Sequence, residues 1–305
     1  MNETTSVIEK MAYRYNQLYL TPEKGISETV TYYDIVHNGK TPPEITQKIH
    51  DKNLGFTRSS KDKLICEITP AGKIEIIFFS EQSDFDRFIQ IMAFKGEPAP
   101  ISPKTESVEI TGITNWRKIE NHMNEYIISG GDYLSWREEL KRFTDNKKNY
   151  QDSVIIIKDC DYCGITAKEA GFSEEEWNDI SLKIRIYNAC TRYTFRHMYK
   201  RKTNIIWDEA VADCIGMLFA LNKYDTGLAK KIFGISKKGY SGKGKLETIC
   251  TEIDDDINKT AGKTGLLIDR INMFVNALMF SGINDYYEIL CRLEEKYSSY
   301  VSILN

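Results

Sequence analysis

Two neighbouring stretches decide how this chain folds: residues 180–199, ISLKIRIYNACTRYTFRHMY, and residues 205–221, IIWDEAVADCIGMLFAL. In the first, apolar and aromatic side chains cover nearly every helical face. One stripe breaks the pattern: Arg185, Asn188, Arg192 and Arg196 recur every three or four residues and so project from one side of an α-helix. The second stretch holds three charges, Asp208, Glu209 and Asp213, and places Glu209 and Asp213 one turn apart. Helices this apolar all round are buried among other helices. A buried carboxylate without a partner is costly, so such groups are paired with a cation. The simplest pairing sets Arg192, with Arg185 or Arg196, against Glu209 and Asp213, since the guanidinium fork can grip a carboxylate with two hydrogen bonds. Ala212 and Gly216 are small enough to let the two helices approach closely.

Working outward, Ser173 with Glu176 forms a capping box that opens the first helix, which runs to about residue 201. Upstream, residues 4–19 read as an amphipathic helix with Val7, Met11, Tyr15 and Leu18 at helical spacing. A second helix begins near Thr41, with Pro42 in its first turn and Glu44 completing a capping-box pattern. Residues 63–69 and 73–79 read as strands joined around Pro70-Ala71-Gly72, and a helix follows from Ser83. Residues 96–107, GEPAPISPKTES, form a Pro- and Ser-rich boundary. Beyond it, helices are expected at 114–129, 133–143, 204–222, 246–259, 264–280 and 284–301. The uniformly apolar run SVIIIK, 153–158, reads as a buried strand. All seven prolines fall at or before Pro103, which leaves the rest of the chain free for long regular elements. The expected fold is α+β and predominantly α: a small N-terminal α+β unit over residues 1–100, then a larger helical domain over 101–305.

Composition narrows the function classes. With 41% hydrophobic and 28% charged residues the chain is an ordinary globular one, and its net charge of −3 offers no global basic field to nucleic acid or anionic membranes. The start MNETTSVIEKMAYRYNQ has neither a basic nor an apolar segment of the signal-peptide kind, and no apolar run approaches membrane-spanning length. Seven cysteines, an odd number with several inside predicted helices, fit reduced thiols in the cytoplasm.

The segments IRIYNACTRYTFRHMY and NIIWDEAVADCIGM resemble an uncharacterised bacterial family with a zincin-type signature. In that family the first helix carries His-Glu-x-Thr-His and the second Asp-Glu-x-x-Ala-Asp. The second motif stands here as Asp208-Glu209-Ala210-Val211-Ala212-Asp213; at the first, this chain reads Asn188-Ala189-Cys190-Thr191-Arg192. The resemblance implies a zinc-peptidase helix pair, while the residues present remove its chemistry. Asparagine is a poor metal ligand, alanine cannot act as a base, and a permanently charged arginine repels a dication. Arg192 at the second histidine's place would return positive charge beside Glu209, so an internal salt bridge is expected to fill the metal's structural role.

Other motifs are weaker. Cys160-Asp161-Tyr162-Cys163 lacks the second ligand pair of a zinc site and the proline of a redox motif, and reads as a turn with two thiols. His37, His50, His122 and His197 are scattered, and His197 reads as a partly buried packing residue. Arg196, Lys200, Arg201 and Lys202 form a candidate anion-binding group, although cations are favoured at any helix C-terminus. Residues 234–245, GISKKGYSGKGK, read as a mobile Gly- and Lys-rich surface loop, and Ala261-Gly262-Lys263-Thr264 lacks the rest of a phosphate loop.

The leading expectation is a non-catalytic, zincin-like pseudo-metallopeptidase that acts by binding or assembly. Its remnant pocket is Asn188, Arg192, Glu209 and Asp213; it takes no metal and no cofactor, and a protein or peptide is the partner class left open. One alternative is a metal-dependent hydrolase using Glu209 and Asp213 with ligands from elsewhere. The other is a nucleic-acid-associated protein using the basic segments 196–202 and 236–245.

Overall fold

The computed structural model describes residues 6–51, 54–199, 201, 203–253, 255–302 and 304. The chain divides into two compact units: Met1–Cys66 with Glu75–Lys158, and Glu67–Ile74 with Asp159–Asn305. The fold is α+β and predominantly helical, with no described helix long and apolar enough to cross a membrane.

The first unit contains helices α1 (Val7–Arg14), α2 (Val30–His37), α3 (Pro43–His50), α4 (Gln82–Met92), α5 (Trp116–Ile128) and α6 (Trp136–Thr144). Strands β1 (Lys63–Thr69), β2 (Gly72–Phe79), β3 (Ser107–Thr114) and β4 (Gln151–Lys158) form one sheet in the order β1-β2-β4-β3; of β1 and β2, the residues up to Cys66 and from Glu75 on belong to this unit. β4 runs parallel to β2, with Ile76 opposite Ile155, and antiparallel to β3, with Val108 opposite Ile156. The central β4 is buried from Val154 to Lys158, as a continuous apolar run demands. α4 adds Phe85, Phe88 and Ile89 to the same core.

Several expectations change here. Residues 96–107 lie inside the first unit and do not end it: the β3 strand that follows pairs with β4, so the sheet ties both sides of the Pro-rich segment together. Thr41 and Glu44 form no capping box. Pro42 occupies the N-cap without a side-chain bond, and the Glu44 carboxylate instead accepts from the Thr31 hydroxyl at 2.5 Å. α2, β3 and the later helix Thr226–Phe233 carry too few periodic residues to stand out from the sequence.

The second unit contains α7 (Ala167–Ala170), α8 (Glu174–Met198), α9 (Ile205–Leu221), α10 (Thr226–Phe233), α11 (Lys245–Ile253), α12 (Ile257–Phe280), α13 (Tyr286–Glu294), α14 (Tyr297–Val301) and a two-residue ladder, β5 (Ile235–Ser236) with β6 (Gly239–Tyr240). The Ser173–Glu176 capping box opens α8 as expected. The single helix read at 246–259 is broken, because the Asp256 side chain caps a fresh start at α12. The core gathers Trp177, Trp207, Val211, Ile215, Leu267, Ile271 and Leu290. Arg201 closes the head of α9: its guanidinium binds Glu294 at 2.7 Å and Asp208 at 2.6 Å and lies 4.1 Å from the Tyr297 ring centre, while the Trp207 indole N–H donates to Glu294 at 2.7 Å.

α8 and α9 pack directly on each other, and Gly216 sets their approach: a β-carbon there would lie 2.6 Å from the Ile184 carbonyl oxygen. Alanine normally favours a helix over glycine by about 1 kcal/mol. At Gly216 the clash with rigid backbone outweighs that gain, so Gly216→Ala is expected to destabilise by about 1–3 kcal/mol in denaturant melts.

Candidate functional site

The polar cluster of the second unit is built from four segments. α8 contributes Asn188 and Arg192, which lie one turn apart; α9 contributes Glu209 and Asp213, also one turn apart. The turn after Cys160 contributes Tyr162: Cys163 (φ 54°) and Gly164 (φ 66°) are both left-handed and reverse the chain directly after it. α11 contributes Lys245, its first residue.

Lys245 is the centre of the cluster. Its ammonium donates to Glu209 Oε2 at 2.8 Å, to Asp213 Oδ1 at 2.7 Å and to the Tyr162 hydroxyl oxygen at 2.9 Å. A lysine has three N–H donors, and all three are used. Asp213 Oδ1 also accepts from the Asn188 amide at 2.8 Å and from the Tyr162 hydroxyl through a short bond. Asp213 is fully buried, and its Oδ2 and the Tyr224 hydroxyl, both buried, have no hydrogen-bond partner among the described residues. Arg192 stands at the edge, its Nε 3.4 Å from Glu209 Oε1, with 37% of its side chain exposed.

The charges sort by depth. Burial alone would raise the Glu209 carboxyl, but the Lys245 ammonium, with Arg192 and Arg196 behind it, brings it down to about 2. Burial raises Asp213 instead, and repulsion by Glu209 adds to the rise while Lys245 opposes it. Burial pulls the Lys245 ammonium down, yet the two carboxylates overcome this and hold it well above its ordinary range. Burial and the Asp213 charge raise the Tyr162 hydroxyl, which therefore stays a neutral donor.

The sequence placed Asn188, Arg192, Glu209 and Asp213 together, and they do meet. It gave Arg192 the central role, whereas Arg192 reaches only Glu209 and Asp213 is held by Lys245, Asn188 and Tyr162. Arg185 donates instead to the Cys160 carbonyl through a short bond. The two further residues come from segments whose motifs carry no site of their own: Tyr162 lies between the two cysteines, and Lys245 ends the Gly- and Lys-rich stretch. Cys160 and Cys163 form no disulfide, and Tyr162–Gly164 is a short 3-10 turn.

The 234–245 stretch is tightly closed at its neck. The Ser241 amide donates to the Gly234 carbonyl at 2.8 Å, and a β-carbon on Gly244 would lie 2.7 Å from the Gly234 Cα. Gly234 and Gly244 both take positive φ, so the chain can cross itself there and deliver Lys245 inward. Of the candidate anion group, Arg201 is paired with Asp208 and Glu294, Arg196 is exposed on α8, and Lys200 and Lys202 lie outside the described residues. His197 is exposed, its ring 4.4 Å from that of Tyr193.

A model of a family of unknown function, DUF7005, matches residues 1–264. The chain belongs to that family. No curated protein and no solved structure matches it. Every residue of the Lys245 cluster lies inside the DUF7005 span. Among the described residues, no group of three or more His, Cys, Asp and Glu side chains is gathered where it could hold a metal ion.

Removing the ammonium leaves two buried carboxylates face to face, so Lys245→Met should cost about 3–5 kcal/mol at neutral pH. In the native protein Glu209 is depressed below its ordinary 4.5, so its contribution is full above that pH and is lost as pH falls toward about 2. Lys245 is raised above its ordinary 10.5, so its contribution is full below that pH and is lost as pH rises beyond it. The Lys245→Met protein should behave oppositely in mild acid: one carboxyl takes up a proton, and part of the loss is recovered between about pH 7 and pH 5. Urea melts across pH read both trends. Gly244→Ala should weaken the same cluster indirectly, lowering Tm by several degrees.

Proposed function

We propose that the protein is a non-catalytic, zincin-like member of its family that acts by binding or assembly, with Lys245 closing the position a metal would take. The observation that carries this reading is the saturated ammonium between Glu209 and Asp213. A dication in a helix-pair site would need deprotonated ligands around an open position. Here that space already holds a positive charge whose three donors are all engaged.

The neighbouring side chains support the same reading. Asn188 uses its amide to hold Asp213, Arg192 adds a second cation beside Glu209, and Ala189 offers no base. Lys245 is kept protonated by its two carboxylates and cannot serve as a nucleophile in that state. The basic-surface alternative loses Arg201, whose guanidinium is committed to Glu294 and Asp208.

Two measurements test the proposal. Elemental analysis of the purified native protein should find no stoichiometric zinc, and stoichiometric zinc bound through Glu209 overturns the reading. A protein carrying Asn188→His, Ala189→Glu, Arg192→His and Lys245→Ala should instead take up zinc and gain a zinc-dependent rise in Tm. Failure of that folded variant to bind zinc counts against an inherited metal-site geometry.

A further inference from the structure

We infer that the second unit binds an internal water molecule between the Oδ2 of Asp213 and the hydroxyl of Tyr224. The site uses the carboxylate oxygen that the Lys245 ammonium leaves unbound, and it stands whether or not the metal position is closed.

The first observation is the uneven use of Asp213. Its Oδ1 accepts from Lys245 at 2.7 Å, from Asn188 at 2.8 Å and from the Tyr162 hydroxyl. Its Oδ2 is buried and accepts from no described residue. A carboxylate oxygen left bare in the interior costs the full loss of its hydration. Protonating Asp213 does not remove the demand, because an Oδ2 hydroxyl would then need an acceptor.

The second is Tyr224. Asn222, left-handed at φ 56°, ends α9, and Tyr224 two residues later enters the core that contains Cys214. Tyr224 is 6% exposed, and its hydroxyl also has no hydrogen-bond partner among the described residues. Burial raises that hydroxyl, and Cys214 and then Asp213 add to the rise, so Tyr224 and Asp213 lie within electrostatic reach of each other. They do not bond directly. Two buried polar groups in this relation, each unsatisfied, are the ordinary setting of an internal water.

The chemistry selects water over other small ligands. An anion would meet the Asp213 charge. A metal ion would need further charged or nitrogen ligands, whereas Tyr224 stays a neutral phenol and no group of three or more His, Cys, Asp and Glu side chains is gathered for one among the described residues. A water donates one O–H to Asp213 Oδ2 and accepts from the Tyr224 hydroxyl, so both groups are satisfied by one molecule. Asp213 is then held through both of its oxygens. Because Asp213 is fully buried and Tyr224 nearly so, the water exchanges with solvent only when the fold opens, and its residence is long.

The experiment counts long-lived internal waters in the full chain by oxygen-17 magnetic relaxation dispersion. Tyr224→Phe removes one oxygen and keeps the ring, so the core stays packed. The dispersion amplitude should fall by the equivalent of one water. Tyr286→Phe, which deletes a hydroxyl bonded to Asn222 at the surface, should leave the amplitude at its native value. Thermal melts read the same site through a sign. With a bridging water, Tyr224→Phe loses hydrogen bonds and lowers Tm by a few degrees; a dry, unsatisfied hydroxyl makes the same substitution neutral or stabilising. The inference is overturned if Tyr224→Phe keeps the native dispersion amplitude, or if it melts at or above the native temperature. The zinc measurements read neither quantity, so the water site and the closed metal position can fail separately.

Discussion

The ammonium of Lys245 between the carboxylates of Glu209 and Asp213 is the interaction around which the second unit is arranged. α9 is apolar over most of its surface, yet it carries two carboxylates into the interior. Either one alone would cost several kcal/mol to bury without a partner. The cation that offsets both comes from a distant segment, so the two carboxylates and α11 must be placed together or not at all. The closed glycine neck at Gly234 and Gly244 and the left-handed turn after Tyr162 both follow from that requirement. Arg192 is an outer contribution, longer and partly exposed.

Much of this was legible in the sequence. The periodicity of α8 and α9, the Ser173–Glu176 cap and the close approach allowed by Gly216 were all readable, because each depends on residues within a few turns of one another. So was the demand for a cation beside Glu209 and Asp213. Which cation could not be read, since it depends on a tertiary contact. Arg192 was near in sequence and offered itself, whereas Lys245 lies 36 positions from Glu209, in a stretch that looked like a surface loop. Tyr162 was hidden in the same way, inside a Cys-x-x-Cys segment whose cysteines drew the eye. In the first unit, β3 was overlooked because its pairing with β4 is non-local, and that strand moved the unit boundary from the Pro-rich segment to Lys158.

The cluster differs between its inner and outer halves. Its inner half is saturated: Lys245 has no donor left, and Asp213 Oδ1 accepts three bonds. Its outer half is not, because Arg192 keeps terminal N–H groups without protein partners among the described residues. The cluster thus has one cation sealed inside and one at the rim.

The most direct test of the central claim is a double-mutant cycle between Lys245 and Asp213. Urea unfolding free energies are compared for the native protein, Lys245→Met, Asp213→Asn and the double variant. If the ammonium is the cation that holds the buried carboxylate, removing both groups costs less than the two single losses combined, with a coupling of about 2–3 kcal/mol. Additivity within about 0.5 kcal/mol would mean that the two residues do not depend on each other, and the account built on Lys245 would be wrong.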